Sequence, residues 1–396
     1  MTTKINNEQK KLNVPNSTDR GNVIRNVPHL RFPEFEGEWE DFLINDVCSE
    51  FKSGKNIKAD SISESGEYPV YGGNGLRGYT SSYNHEGLYV LIGRQGALCG
   101  NVRSVHGKTF ITEHAIAVAG NEISNTSFLH YLFVKMNLGQ YSDQSAQPGL
   151  AVNKLLKIKV VLPSVSEQTK IARFLSLLDE RITTQNKIID KLQSLIKGIN
   201  QRVFMNNGIN YKLGEISEIR SGYSGNQLLS KKGLKVSRIE TISGHKVNME
   251  RVGYVAPFES SDNYRLQVGD ILFSNINSVE YIGNTAFIDK DYDLYHGMNL
   301  LRLIPNNMVV IPFYLYLLLN TNRMLNRFKT VCNKAVSQAS INQTELGKTV
   351  VQIPDINAQK QICELYQALY DKLESEKYAN SLFQKQKQYL LRQMFI

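Results

Sequence analysis

The residues of this chain best suited to chemistry are donors and acceptors for nucleic acid, and they fall in two regions. Asn74, Arg77, Tyr79, Tyr83, Arg94, Gln95 and Arg103 crowd the first. Arg220, Tyr223, Asn226, Lys231, Lys232, Lys235, Arg238, Asn275 and Asn277 occupy the second. Arginine and lysine donate to guanine edges and to phosphates, while asparagine or glutamine pairs with adenine. Each residue, taken singly, is also accounted for by a solvated polar surface. The two regions therefore carry the expectation better than any one side chain does.

Bond-making constellations are missing. The sequence has no G-x-x-x-x-G-K-[ST] phosphate loop, no G-x-S-x-G elbow and no H-E-x-x-H helix. An Asp/Asn-Pro-Pro-aromatic tetrapeptide and an F-x-G-x-G loop are absent too, which argues against an amino-methyltransferase site. Pro354-Asp355 matches the start of a metal-nuclease motif, but no Glu-x-Lys follows, and a helix start explains both residues. His85, His106 and His114 share a region without ligand spacing, so no metal is expected. The four cysteines are scattered without a C-x-x-C pair, as for reduced thiols in a cytoplasmic protein. The net charge of +9 is compatible with a polyanionic partner. No apolar run is long enough to span a membrane, and the polar opening is not that of a secretory signal.

The elements that must position these regions are two long helices. In LPSVSEQTKIARFLSLLDERITTQNKIIDKLQSLIKGINQRVF, apolar residues recur at Ile171, Leu175, Leu178, Ile182, Ile189, Leu192, Ile196, Ile199 and Val203. Gln185 fills the one heptad position that is not apolar. A 3.5-residue repeat of this length predicts a helix packed along a partner helix. With Ser166 as N-cap, it runs to Phe204, about 60 Å at 1.5 Å per residue. The stretch recurs at an offset of 191 residues in Ile353–Ile396, with Pro163, Gln168 and Leu178 matching Pro354, Gln359 and Leu369. Its seam is Ile362, Tyr366, Leu369, Leu373, Glu376, Asn380, Phe383, Lys387, Leu390 and Met394. The middle of this second seam is polar, and Gln185 aligns with Glu376. The spacing predicts that the two helices pack on each other.

The chain before each helix shares a frame. Phe42, Ile44, Val47 and Phe51 lead to Gly54, as Leu213, Ile216 and Ile219 lead to Gly222, each suggesting a strand or turn and then a short helix ending at glycine. Between the frames the copies diverge. Tyr68–Gly87 suits turns and irregular strands, and Leu88–Ile92 and Ile271–Phe273 suit buried strands. FLHYLFV and FYLYLLL predict short buried helices, and Lys157–Leu162 and Lys348–Ile353 predict strands that deliver the chain to each long helix. The expected order is a flexible tail (1–27), a domain (28–161), a long helix (162–204), a joint (205–210), a second domain (211–352) and a second long helix (353–396).

With these features the chain resembles the specificity subunit of type I restriction-modification enzymes. The resemblance rests on the paired Pro-x-x-x-x-Gln openings (Pro163 to Gln168, Pro354 to Gln359), LRFPEFEGEW, YPVYGGNG, LIGRQG and GDILFSN, and it covers residues 28–396. It implies a mixed α/β fold with a pseudo-twofold internal repeat: two target recognition domains separated by two long antiparallel coiled-coil helices. Ile171, Leu175, Leu178, Ile182, Leu192, Ile196, Ile362, Tyr366, Leu369, Leu373, Phe383 and Leu390 would then form the spacer. It implies a non-catalytic DNA-binding protein that reads a bipartite DNA target, one domain per half-site. It also implies docking of methyltransferase subunits, two of them, and through these the restriction subunits, in phage defence. S-adenosylmethionine, ATP and Mg²⁺ would belong to those partners. The polar centre of the second seam then admits three readings: a register device, a face toward the methyltransferase, or a solvated patch. The alternatives are an adaptor for a modification-only or phage-defence methyltransferase, and a stand-alone DNA enzyme. The target sequence is not legible in the residues.

Overall fold

A computed structural model describes residues 26–143, 148–204, 208–334 and 338–396. The expected tail lies outside the described residues apart from Asn26 and Val27, as do 205–207 of the joint. In chain order the elements are β1 (Glu40–Leu43), α1 (Ile44–Val47), β2 (Cys48–Ser53), β3 (Tyr68–Gly72), β4 (Gly75–Thr80), β5 (His85–Gly93), β6 (Val102–Ile111) and β7 (Ala115–Gly120). Then come α2 (Thr126–Met136), α3 (Val152–Leu155), β8 (Lys159–Leu162) and the long α4 (Val165–Val203). The second copy runs β9 (Ile209–Lys212), α5 (Leu213–Ile216), β10 (Ser217–Ser221), β11 (Leu234–Val236), β12 (Gly253–Val255), β13 (Ile271–Ser274), β14 (Ile276–Asn277), β15 (Thr285–Phe287) and β16 (Leu300–Pro305). It closes with α6 (Pro312–Leu319), α7 (Asn322–Val331), β17 (Asn333–Lys334), β18 (Ala339–Ser340), α8 (Gln343–Gly347), β19 (Val350–Ile353) and the long α9 (Ile356–Gln393).

Two compact units result: residues up to Thr183 with Ser381–Ile396, and Thr184–Asn380. In the first, a six-stranded sheet of order β2-β7-β5-β6-β3-β4 lays Val90, Ile92, Ile116 and Val118 against Phe128, Leu129 and Phe133 of α2. The same core takes Ile171, Ala172 and Leu175 of α4 and Leu390, Leu391 and Met394 near the end of α9. The LRFPEFEGEW segment ties in here. Leu30 N–H donates to the Gln393 carbonyl, Arg31 grips the buried Glu167 carboxylate at 2.7 and 2.8 Å, and Trp39 packs on Phe128 and Phe395. In the second unit, the sheet β10-β16-β13-β15 packs Ile219, Ile271, Phe273 and Leu303 with α6, and the core includes Ile189 and Ile196 of α4 and Tyr366 and Leu373 of α9.

Two expectations are corrected. The short helices do not end at glycine: α1 and α5 are single turns that pass into β2 and β10. Gly54 and Gly222 instead lie where the backbone closes on the Ile111 and Gly297 carbonyls, leaving no room for a Cβ. Tyr68–Gly87 holds the hairpin of β3 and β4, whose register shifts between Val70 and Tyr71, in keeping with the expected turns and irregular strands. The first long helix is capped by Ser164, not Ser166. Ser164 faces the Glu167 N–H, as Asp355 accepts from Asn357 and Ala358 at 2.9 and 3.0 Å in the second copy.

The long helices run antiparallel. In the first unit Lys387 donates to Asp179 at 2.5 Å. In the second, Gln185 donates to the Glu376 carboxylate and, at 3.2 Å, to its carbonyl, Asn380 meets Asn186 at 2.8 Å, and Tyr366 reaches Asn200 at 3.1 Å. Every one of the twelve spacer residues is buried or half-buried, whereas their helical neighbours are mostly exposed, which is the pattern of a heptad seam. The seam joins each core in turn: Leu178 packs on the first, Leu192, Ile362 and Leu369 on the second. Ile182 lines a groove beside α2, and Phe383 lies under the Arg181 guanidinium.

Candidate nucleic-acid interface

The geometry of each candidate region begins with its joint to a long helix. Gln168 and Gln359 are fully buried. Gln168 donates to the carbonyls of Pro163 (2.8 Å) and Ile123 (2.9 Å) and accepts from Asn125 N–H (2.8 Å), fixing the start of α2. Gln359 repeats this with Pro354 (2.9 Å), Val309 (3.1 Å) and Ile311 N–H (2.8 Å) at the start of α6. The Pro-x-x-x-x-Gln motif is thus a staple between long helix and globule, built from main-chain partners.

In the first unit the structure gathers most of the predicted residues on one hairpin end. The β3–β4 turn carries Asn74, exposed, between Gly72 and Gly75, which pair across the hairpin. Gly75 has φ +109°, a conformation that favours glycine. A Cβ there would stand 3.0 Å from the Arg103 guanidinium, and one on Gly72 would stand 2.9 Å from Arg77 Cδ. Two arginines therefore lie across a strip without side chains. Gly73 backs onto the Gly93–Arg94 backbone and the His114 carbonyl, and Arg94 N–H donates to that carbonyl at 2.9 Å. Gln95 meets His114 Nδ1 at 3.2 Å. Arg77, Arg94 and Arg103 make no ion pair among the described residues, so their charge is available to an anionic partner. Tyr83 lies apart, on Tyr68 with centroids 5.0 Å away and Lys108 Nζ 4.9 Å from its ring. The Tyr79 backbone bridges to Ser63, outside the cluster.

The second unit does not assemble its predicted residues into one patch. Arg220 is held by Glu218 at 2.6 and 2.9 Å, and Arg238 by Glu240 at 3.5 Å. Glu218 lies below the ordinary carboxylate range because of the Arg220 hydrogen bonds. Tyr223 stacks on Phe258 at 4.0 Å with Tyr264 edge-on, a packing role. Asn277 is used locally, donating to Ser274 Oγ and accepting from Ser278 N–H. The Asn275 side-chain oxygen is buried with no hydrogen-bond partner. Asn226, Lys231 and Lys232 are exposed on the loop between β10 and β11. The second unit also holds a buried ion pair, Arg302 to Asp270 at 2.7 Å, the reason for the aspartate of GDILFSN. Burial raises the Asp270 pKa, against the pull of Gln267 N–H and Arg302.

Lys108 and His114 were not singled out as readers from the sequence. His114 borders the hairpin cluster at Gly73 and Gln95, whereas Lys108 sits with Tyr83, apart from it. An alternating-strand reading of β6 would have exposed Lys108, whereas His114 had no signal. Among the described residues no three His, Cys, Asp or Glu side chains could hold a metal, and no helix is long and apolar enough to cross a membrane.

A family model of the type I restriction modification DNA specificity domain matches residues 36–194 and again 208–381, one copy per half of the repeat. The chain belongs to that family. The chain is 41% identical over 165 residues to the type I restriction enzyme EcoprrI specificity subunit of Escherichia coli. That match covers 41% of this chain and 40% of the relative, so it spans about two fifths of that protein's length. A match to the type I restriction enzyme MjaVIII specificity subunit of Methanocaldococcus jannaschii runs at 25% identity over 91% of this chain and 92% of the relative. The fold is that of the crystal structure of the type I restriction-modification S subunit from M. genitalium, with TM-score 0.65 and 17% identity over 93% of this chain and 99% of that one. The family model thus marks two specificity domains, and the shared fold extends over nearly the whole chain.

Proposed function

We propose that this chain selects the DNA target of a type I restriction-modification complex, reading a split site with one recognition region per half-site. The observation that carries this is a duplicated frame with unlike faces. Gln168 and Gln359 hold the two joints by matching bonds, while the hairpin of the first unit and the β10–β11 loop of the second share no residue pattern. A frame repeated so closely serves geometry, and the unlike faces serve two different readings. In the first unit the reading edge is Asn74, Arg77, Arg94, Gln95 and Arg103. In the second it is the loop of Asn226, Lys231 and Lys232, with Asn275.

The chain works without bond-making residues of its own. S-adenosylmethionine, ATP and Mg²⁺ belong to the methyltransferase and restriction subunits that it carries. Docking of two methyltransferase subunits is supported by exposed apolar residues on the long helices: Leu177, Ile188 and Leu195 on α4, Leu382 and Tyr389 on α9. Solvent gains nothing from such stripes, whereas a partner helix buries them.

The test is methylome sequencing of cells with and without the gene. A bipartite motif that vanishes with the gene is expected. Exchanging residues 55–150 alone should then change one half-site. A change in both halves, or a motif that survives deletion, refutes the reading. Inserting four residues in each long helix adds about 6 Å, near two base-pair steps, and should lengthen the unread spacer while both half-sites stay the same.

A further inference from the structure

We infer that three polar contacts along the long helices confine pairing to α4 with α9 and reject like-with-like pairing between two copies of the chain. The contacts are Asp179–Lys387 (2.5 Å), Gln185–Glu376 and Asn186–Asn380 (2.8 Å). Gln185 and Glu376 are repeat equivalents, separated by 191 residues, so the helices meet here at corresponding positions.

Self-equivalence makes the alternatives countable. Two copies could pair α4 with α4, or α9 with α9. In the first case Asp179 would face Ile196, Asn186 would face Ile189, and Gln185 would face its own copy. In the second, Lys387 would face Tyr370, Asn380 would face Lys377, and Glu376 would face another Glu376. The Asp179–Lys387 charge pair forms only between α4 and α9, whereas Gln185 against Gln185 and Asn380 against Lys377 can still hydrogen-bond, so the amide sites discriminate less. Ile189 and Ile196 are buried, so Asp179 set against Ile196 keeps the Tyr131 hydroxyl at 2.9 Å but loses its charge partner to an apolar side chain, and Asn186 set against Ile189 loses its amide partner. Glu376 against Glu376 sets like charges together in a half-buried seam, and the exposed Lys372 that pairs with each glutamate at 2.5 Å offsets that repulsion only in part. The apolar positions of the two seams carry no such discrimination, since Ile, Leu, Tyr and Phe pack in any combination. Polar residues at a few seam positions fix partner choice at some cost in stability. Between α4 and α9 themselves, the covalent link then favours the partner on the same chain through its higher effective concentration. Of the three readings open for the polar centre, register and partner choice is the one these contacts support. Its purpose rests on the two-head reading above, because one chain keeps two unlike heads on one spacer only if its own two helices pair. The pairing itself is tested without DNA.

The experiment uses full-length chains with two different tags. Lys387→Asp sets a second carboxylate against Asp179, and Asp179→Lys sets a second ammonium against Lys387. Each variant is mismatched within its own chain, but the two are complementary across chains. Co-expression should raise capture of one tag by the other at least tenfold over two wild-type chains, with a dimer mass by light scattering. The double variant D179K/K387D should return to a monomer. Capture at the wild-type level overturns the inference, as does a double variant that exchanges as freely as the single ones, or a dimer whose cross-links join α4 to α4 or α9 to α9 and not α4 to α9. If the single variants accumulate only when co-expressed, that rescue supports the inference. If they fail together while the double variant folds, the contact does not choose between partners and the inference falls.

Discussion

Replacing Gln168 with leucine tests the staple, because leucine keeps much of the volume and removes all three hydrogen bonds. The Pro163 and Ile123 carbonyls and the Asn125 N–H would each lose this partner. A buried polar group left unpaired costs about 1–3 kcal/mol. Ile123 and Asn125 lie near the surface, where water recovers part of that, so the sum is about 3–5 kcal/mol. At about 2–4 °C per kcal/mol for a unit of this size, the first unit should melt roughly 6–20 °C earlier. Gln359→Leu removes the same set from the second unit and should cost the same within about 1 kcal/mol. Calorimetry with limited proteolysis assigns each transition to its unit. A loss under about 1 kcal/mol in either variant, or a large loss in one alone, would refute the view that matching bonds hold matching joints.

Three further outcomes are expected. Arg77→Ala, Arg94→Ala and Arg103→Ala should each weaken DNA binding by about 1–3 kcal/mol where a base is read, whereas a phosphate contact would show as a uniform loss with a shallower salt dependence; no change in any of the three would remove the hairpin from the interface. Gly75→Ala forces a side chain onto φ +109° and against Arg103, so it should lower stability by about 1–3 kcal/mol and DNA affinity with it, measured by unfolding and by fluorescence anisotropy. Acid should weaken the fold above the carboxylate range. Burial pushes His130 down to about 4, with Lys387 adding to the effect, and pushes His296 down to about 4, with Arg302 adding to it. The unfolded imidazole binds its proton near pH 6.5 while the folded one stays neutral, so stability is full above about 6.5 and falls as pH drops toward 4, by at most about 3 kcal/mol per histidine. Unfolding curves between pH 7.5 and 4.5 should show that slope, and His130→Gln with His296→Gln should flatten it; an unchanged slope assigns it elsewhere.

Periodicity made the frame legible. The 3.5-residue seam located both long helices to within a few residues, because a heptad pattern depends on side-chain chemistry alone. The buried strands β5 and β13 and the helices α2 and α6 were legible for the same reason. What escaped was set by tertiary contact. Gly54 and Gly222 read as helix stops, but their reason is a carbonyl from a distant strand or loop. Ser166 read as the cap, though Ser164 takes that place through the geometry of the strand before it. The candidate residues divided in the same way. Arg77 and Arg103 converge because three separate strands bring them to one turn, which no local pattern encodes. Tyr223 and Arg220 have the composition of readers, yet Phe258 and Glu218 engage them, and no motif marks those partners.

The staple also explains how two unlike regions share one frame. Gln168 bonds only main-chain atoms of Pro163, Ile123 and Asn125, and Gln359 only those of Pro354, Val309 and Ile311. Main-chain partners are present whatever side chain stands at those positions, so Ile123 can answer to Val309 and Asn125 to Ile311 with the joint intact. A staple made of side chains would have required paired changes at every divergence. The same logic accounts for the glycine strip at Gly72–Gly75: where a turn carries few side chains, the arginines above it are set by backbone geometry. Exchanging such arginines for other readers leaves the strip, the joint and the helix seam as they are. Variation at the proposed reading edge would thus be uncoupled from the joint and the helix seam, and a substitution at Arg77 or Arg103 should alter recognition with little effect on the melting of the first unit, whereas one at Gln168 should do the reverse.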